Sequence, residues 1–518
     1  MTPSPDTGVP GDGSVPAAGG RPDPGAGTVP ESPAVTGGAP GVDGPEEAGP
    51  GETGPGPSGD PRAPYGWWPL VVIMAVSLVD RLESSVISSI LPLLQEEWAF
   101  SDTAGGSLSA AIAITGTVVA LPAGYLADRT NRKNLLAIVV ALWSVITLGS
   151  AVAISFAMFY ATRLVLAAAD SIDNPSQVTL LTDYYSVAVR PKVLGWHRML
   201  TFAGGALGTL YGALVGGFFG WRAVFYAILV PGLVVAWWCY RLDEPRRGEA
   251  DRRAALAGRY SARTASAEGD VGRGSQDAAA SADAVPGMTQ PPGWPAFRAQ
   301  LGTVVRIRTV VLVYSGLASL FFALNGIFFW LPTFYLREFG LEVQVGGSLT
   351  AGITLFGVVG GTWAGGIMGE RWHGRLKGAR VVVGAGGIIV GSIVFTGALY
   401  SSTLPWQVTS LLVAVTFMSL AIPNLQAAIA DALPANQRGV GFSMLGIFIT
   451  GGAFGPLLVG AISDATGSLA IAFGILLVPM VIGGVVTMFA RGTYEGDAAR
   501  ALAAAAEDDP HEPTGADA

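Results

Sequence analysis

Gly124-Tyr-Leu-Ala-Asp-Arg-Thr-Asn-Arg-Lys133 is a short charged stretch between two long apolar runs. Asp128, Arg129, Arg132 and Lys133 carry its charge. A second version stands in the back half as Gly366-Ile-Met-Gly-Glu-Arg-Trp-His-Gly-Arg375. In both, a Gly is followed four residues on by an acid and then at once by Arg, at an offset of 242 residues (366 − 124 = 242). A charged turn that occurs twice between hydrophobic segments points to a duplicated membrane protein.

Composition agrees. Half of the 518 residues are hydrophobic and 13% are charged, where a soluble domain carries about 25% charged residues. Mean hydropathy is +0.48 in spite of long polar tails, so the middle of the chain is far more apolar than the average. Several membrane spans follow from this. Acids in the two tails supply much of the net charge of −8, so it implies no basic partner. The single cysteine, Cys239, excludes an intrachain disulfide and a cysteine-rich metal site. His197, His373 and His511 are scattered without ligand spacing. No phosphate-cradling loop and no nucleophile–base pair stand out in the spans, so ATP drive and enzymatic chemistry are not expected. Neither a cofactor nor nucleic-acid binding is expected.

The hydrophobic pattern predicts an all-α membrane protein of twelve spans. The first six cover roughly 67–94, 104–127, 134–156, 159–184, 193–219 and 222–240; the second six cover roughly 310–335, 346–369, 381–400, 406–431, 440–463 and 469–490. Residues 1–62 are Gly, Pro, Ala, Ser and acids, a composition that predicts a disordered tail. Residues 63–242 form one six-helix half and 306–492 the other; 243–305 reads as a flexible or partly helical linker and 493–518 as a tail with some helix. Arg81 and Arg163 fall inside spans, and Arg222 and Arg337 in loops 5–6 and 7–8; the remaining Lys and Arg lie in the tails, in loops 2–3, 4–5, 6–7, 8–9 and 10–11, or at adjoining helix ends. This alternation places both termini in the cytoplasm; a monomer in the cell membrane is expected.

An internal repeat supports the two halves. Pro175, Asp183, Arg190, Gly204, Gly212, Phe225 and Pro231 are matched by Pro423, Asp431, Arg438, Gly452, Gly460, Phe473 and Pro479, every pair 248 residues apart (423 − 175 = 248). Two homologous halves in parallel orientation place a substrate cavity between them near the bilayer midplane.

With these features the chain resembles a major facilitator superfamily transporter over about 67–490. The Gly124–Lys133 stretch matches the family's loop 2–3 signature, and Gly220-Trp221-Arg222 with Phe225 resembles its join of helices 5 and 6. Gly204, Gly208, Gly212 and Gly216 resemble the family's antiporter-type Gly motif without its proline. A narrower resemblance is to the spinster-like branch, whose members move lysophospholipids and sphingoid lipids. It rests on Asp80-Arg81 in helix 1, on Arg163, Asp170 and Asp183 in helix 4, and on Glu244-Pro-Arg-Arg-Gly248 after helix 6. Asp170 replaces that branch's usual Glu, Asp173 stands where an uncharged residue is usual, and Glu83 is an extra acid.

Ionisable groups inside spans are costly and commonly functional. Asp80 and Glu83 are three apart on one helix face, as are Asp170 and Asp173; Arg163 lies two turns before Asp170. Four acids against Arg81 and Arg163 leave a surplus of two. At least one acid is therefore expected to hold a proton in one state, as proton coupling requires. The alternatives are a cationic substrate, or structural pairing of Arg163 with Asp80 or Asp170. Asn174, Gln177, Asn325, Asn424 and Gln426 are the polar candidates for the rest of the cavity, and Phe321, Phe322, Phe328, Phe329, Trp330 and Phe334 give helix 7 an aromatic character. Gly124, Asp128, Arg129, Arg132, Asp183 and Arg190, with Gly366, Glu370, Arg371, Asp431 and Arg438, are the expected gate; the family likeness implies that they hold the cytoplasmic side closed. The reading is a secondary transporter working by alternating access, proton-coupled, for an amphipathic organic molecule. A polar organic anion held by Arg81 and Arg163 is the nearest rival, and a transporter-like sensor a rival of another class.

Overall fold

The computed structural model describes the backbone of residues 63–186, 188–250, 252–253, 294–434 and 437–507. The expectations for 1–62 and for most of the linker lie outside the described residues. The first half contains α1 (Trp68–Trp98), α2 (Asp102–Arg129), α3 (Arg132–Ala151), α4 (Phe156–Tyr184), α5 (Arg190–Phe219) and α6 (Trp221–Tyr240). The second contains α7 (Arg308–Phe339), α8 (Val343–Trp372), α9 (Ala379–Leu399), α10 (Leu404–Ala432), α11 (Arg438–Thr466) and α12 (Leu469–Gly492). Two shorter helices, Trp294–Arg306 and Tyr494–Glu507, flank the second half. Ten of the twelve long helices are apolar enough to cross a membrane; the other two, α1 and α4, are those that carry the intramembrane charges.

Several helix ends follow from local chemistry. Ser101, Asn131 and Ser155 accept from backbone N–H groups in the first turns of α2, α3 and α4, which satisfies donors the helix itself leaves open. Gly340 and Gly467 close α7 and α11 in the left-handed region, where a side chain would be strained. Two helices are interrupted inside the membrane: α8 widens to a π-helix over Ile353–Val359, and α11 tightens to a 3-10 turn over Gly451–Phe454.

The Gly stripe of α5 is a packing surface. A Cβ on Gly208 would stand 2.3 Å from the Leu82 carbonyl oxygen, and one on Gly204 would stand 2.9 Å from Arg81 Cβ. Only Gly lets α5 lie this close to α1. In the second half, Gly452 and Gly455 play the same part for α11 against Phe321 and Phe322 of α7.

The tight contacts between halves gather on the face opposite the basic loops. Gly106 of α2 lies against Pro456 of α11, Gly460 against the Asp102 backbone, and Gly347 of α8 against Ala213 of α5. A polar latch joins the same ends. Arg337 donates to both Asp102 carboxylate oxygens at 2.6 and 2.7 Å, and Ser463 donates to Asp102 at 2.6 Å. The Asp464 carboxylate accepts from the backbone N–H groups of Asp102 and Thr103, capping α2 from the other half.

Candidate functional site

Two adjoining lobes of about 350 and 500 Å³ lie among α1, α2, α4 and α5, and both are lined by Arg81, Ser84, Ile112, Ala167 and Asp170. Asn325, Phe328 and Phe329 of α7 and Thr350 and Thr354 of α8 face the first lobe. The Thr354 side chain thus enters the cavity from the π segment, a helix form often found at functional sites. Asp80, Asp173, Gln177 and His197 line the second lobe.

The ionisable groups divide into three sets. Glu83 and Arg163 form a buried pair, 3% and 1% exposed. Arg163 also donates to Ser150 Oγ and lies over the rings of Phe159 and Phe225 at 5.2 and 4.9 Å. Arg163 thus pairs with Glu83, where the sequence suggested Asp80 or Asp170. The contact crosses from α1 to α4 and fixes the two helices. Asp80 and Arg81 form the second set, with Arg81 Nε 3.5 Å from the carboxylate and the Arg81 side chain 43% exposed to the cavity. Asp170 and Asp173 are the third. Among the described residues neither has a Lys or Arg within 4 Å, and the buried Asp173 Oδ1 has no hydrogen-bond partner.

The polar candidates fare differently. Asn325 Nδ2 donates to the Phe321 carbonyl at 2.8 Å, which leaves its oxygen at the cavity wall. Asn424 is a correction: it is buried and donates to the carbonyls of Gly365 and Leu420 at 2.7 and 2.8 Å, joining α10 to α8 away from the cavity. Gln426 is half-buried and lines neither lobe. The side chain of Asn174 lies outside the described residues. Of the α7 aromatics, Phe328 and Phe329 reach the cavity, whereas Trp330 and Phe334 are core. His197, set aside in the sequence for want of ligand spacing, stands in the second lobe with Nε2 2.7 Å from Ser77 Oγ and 3.0 Å from Gln177 Oε1.

On the basic face each half has a clamp. Arg132 is buried and bonds Asp183 and, at 3.1 Å, Glu244. Glu244 also accepts from the N–H of Lys133 at 2.8 Å, and Asp183 from that of Gly248 at 3.1 Å. In the second half Arg380 and Tyr494 both bond Asp431. Arg190 donates to the Thr182 carbonyl and Arg438 to that of Ala430, the same contact in each half. Arg380 is a residue the sequence reading missed, although it lies 248 residues after Arg132. Glu370 and Arg371, which were expected to mirror Asp128 and Arg129, are exposed, and a Cβ on Gly366 would meet nothing within 4 Å among the described residues. The surroundings of Gly124 and the side chain of Asp128 lie outside what is described, while Arg129 is exposed.

Comparison with known proteins agrees with this architecture. A profile of the Major Facilitator Superfamily matches residues 73–450. The chain is 28% identical over 429 residues to the gallate transporter of Pseudomonas putida, covering 81% of this chain and 90% of that one. It is 23% identical over 434 residues to protein spinster homolog 3 of Danio rerio, covering 79% and 80%. Among solved structures, a bacterial homologue of the human lysosomal transporter Spinster, inward-facing and unoccupied, superposes with a TM-score of 0.68 at 18% identity, over 84% of this chain and 98% of that one.

Proposed function

Since the chain belongs to the Major Facilitator Superfamily and is a membrane transporter, we propose that it moves an amphipathic organic acid together with protons by alternating access. The observation that carries this reading is the charge arrangement of the cavity. Glu83 is matched by Arg163 and Asp80 by Arg81, but among the described residues Asp170 and Asp173 have no Lys or Arg within 4 Å. Arg81 is the exposed guanidinium and is suited to hold a carboxylate. An anion entering beside two ionised carboxylates is repelled in a low-dielectric space. It binds well only when those carboxyls hold protons, so anion and protons load together. Phe328, Phe329, Leu108 and Ile112 receive the apolar body. The likeness to a protein named a gallate transporter supports an aromatic acid as the first substrate to test.

In this reading the basic face is cytoplasmic, as are both termini, and the protein works as a monomer in the plasma membrane. The halves then meet on the outer side, and the Asp102–Arg337–Ser463 latch and the Asp464 cap open when the cavity turns outward. Gly124 and Asp128 are assigned to close the cytoplasmic side in that state, with Gly366, Glu370 and Arg371 free of that task in the present one. A lysolipid is the second reading, favoured by the Asp80–Arg81 pair of the spinster-like branch; its phosphate would take the place of the carboxylate at Arg81.

The test is flux in proteoliposomes with gallate, 4-hydroxybenzoate, a hexuronate, a lysolipid and a cationic dye, with and without a pH gradient. Accumulation of an aromatic acid driven by an inward proton gradient is the expected outcome. Lysolipid flux alone would establish the second reading. Flux of the dye alone would overturn the anion assignment, and flux of none under either condition would favour a sensor.

A further inference from the structure

His197 is joined to the coupling acids by a buried amide. Gln177 follows Asp173 by four residues on α4, so the two side chains share a face, and both line the second lobe. Its other end meets α1 and α5: Ser77 Oγ donates to Gln177 Oε1, and His197 Nε2 lies 3.0 Å from that oxygen and 2.7 Å from Ser77 Oγ. Ser77, Asp173, Gln177 and His197 are all less than a tenth exposed. A carbonyl oxygen only accepts, so in this arrangement Nε2 carries the hydrogen and Nδ1 is the free base of the neutral ring. The –NH₂ end of the amide is then left for an ionised Asp173. Turning the amide over suits the opposite condition: a protonated Asp173 donates to the oxygen, and the –NH₂ end donates to a bare Nε2. The protonation of Asp173 and the hydrogen position on His197 are thus linked through Gln177.

Position along the helices gives the link a direction. At about 1.5 Å per residue, Asp170, Asp173 and Gln177 stand about 21, 16 and 10 Å from the end of α4 at Tyr184 on the basic face. His197 stands about 10 Å from the start of α5 at Arg190 on the same face. Among the described residues, the charged groups that face the imidazole are Asp80 and Arg81 from α1, Asp170 and Asp173 from α4, and Arg198 on its own helix.

We propose that His197 is a second proton-carrying group of the transport cycle, which takes the proton from Asp173 and passes it toward the basic face. In the step, the proton leaves the Asp173 carboxyl and joins the free imidazole nitrogen, giving a carboxylate and an imidazolium; the imidazolium then releases it to water on the basic face. This rests on the proton-coupled reading above. It adds a residue to which no transport role is otherwise assigned.

The experiment uses the full chain in proteoliposomes with radiolabelled gallate and 4-hydroxybenzoate. Two quantities are read for wild type, His197→Gln and Ser77→Ala: equilibrium counterflow, which needs no net proton movement, and accumulation driven by a pH gradient across an internal-pH series. Gln at 197 keeps an N–H donor for Gln177 but carries no titratable proton. His197→Gln is expected to keep counterflow within about twofold while gradient-driven accumulation falls about tenfold, a coupling loss inside the usual 5- to 150-fold range. Ser77→Ala keeps the imidazole and is expected to shift the pH profile without abolishing accumulation. Gradient-driven accumulation and a pH profile unchanged in His197→Gln would overturn the proposal while leaving the proton-coupled reading intact. Equal loss of counterflow and accumulation in both variants would make the cluster structural and overturn it as well. Failure of the wild type to respond to the gradient would overturn both.

Discussion

Helices α4 and α10 occupy equivalent places in the two halves but have opposite chemistry. At the constant offset of 248 residues, Arg163, Asp170, Asp173 and Gln177 of α4 meet Leu411, Met418, Ala421 and Leu425 of α10, all buried. His197 of α5 meets Leu445 of α11 in the same way. The clamps on the basic face keep their chemistry in both halves: Arg132, Asp183 and Arg190 are matched by Arg380, Asp431 and Arg438. The halves therefore share the parts that hold helix ends together and differ in the parts that line the cavity. A pseudo-symmetric scaffold needs its end contacts twice, whereas the charged lining of the cavity stands in one half. The second half supplies an uncharged wall, with Asn325, Phe328, Phe329, Thr350 and Thr354 facing the first lobe.

The comparison can be broken from the α10 side. Met418→Asp transfers the Asp170 residue type into a fully buried apolar site. An unpaired buried charge costs several kcal/mol, so this variant is expected to lose folded protein, read as monodisperse yield in detergent. Asp170→Asn, at the matched site, is expected to remain folded. Equal tolerance at the two positions would show that tolerance of a buried acid is not confined to the first half.

The Glu83–Arg163 pair gives the next largest effect. Removing either partner leaves a buried charge alone, at a cost of about 3–5 kcal/mol. Glu83→Leu with Arg163→Met imitates the apolar packing of the second half, and such replacements are often neutral or stabilising. The single variants are expected to melt well below wild type, and the double variant within a few degrees of it and active in counterflow. A stable double variant that no longer transports would make the pair part of the mechanism.

The clamps should differ in degree. Arg132 is 6% exposed with two acids, and Arg380 is 23% exposed with an acid that also bonds Tyr494. Arg132→Ala is expected to cost about 3–5 kcal/mol as a buried pair broken. Arg380→Ala should cost about 1 kcal/mol, as an exposed pair does. Thermal melting of the two variants side by side checks the order. The smallest effect is expected at the opposite face. Asp464→Ala weakens the cap on α2 by about 1 kcal/mol, and labelling of a cysteine placed at Ser109 in the cavity from the opposite side should rise severalfold while melting falls by only about 2–4 °C.

Much of the scaffold was legible in the sequence, because span length, basic-loop alternation and a repeat at constant offset are all periodic signals. The intramembrane acids were legible because charge in a span is rare. Their partners were not. The choice of Glu83 over Asp80 or Asp170 for Arg163 depends on how α1 is rotated against α4, which spacing within one helix does not contain. Asn424 looked like a cavity residue because it is an amide in a span, but the Gly run of α8 brings a backbone carbonyl close enough to take its hydrogen bonds. Arg380 was missed because the Gly124 and Gly366 stretches align at 242 and the helices after them at 248; the six extra residues hide the match. His197 was set aside as a lone histidine, although Ser77 and Gln177 on neighbouring spans were the available signal.

The claim that the acids of the first half couple transport to protons is tested most directly by Asp170→Asn in proteoliposomes loaded for gallate exchange. Counterflow should persist near the wild-type rate, while accumulation driven by a pH gradient should fall by about 5- to 150-fold. Accumulation that follows the gradient as well as in wild type would contradict the account.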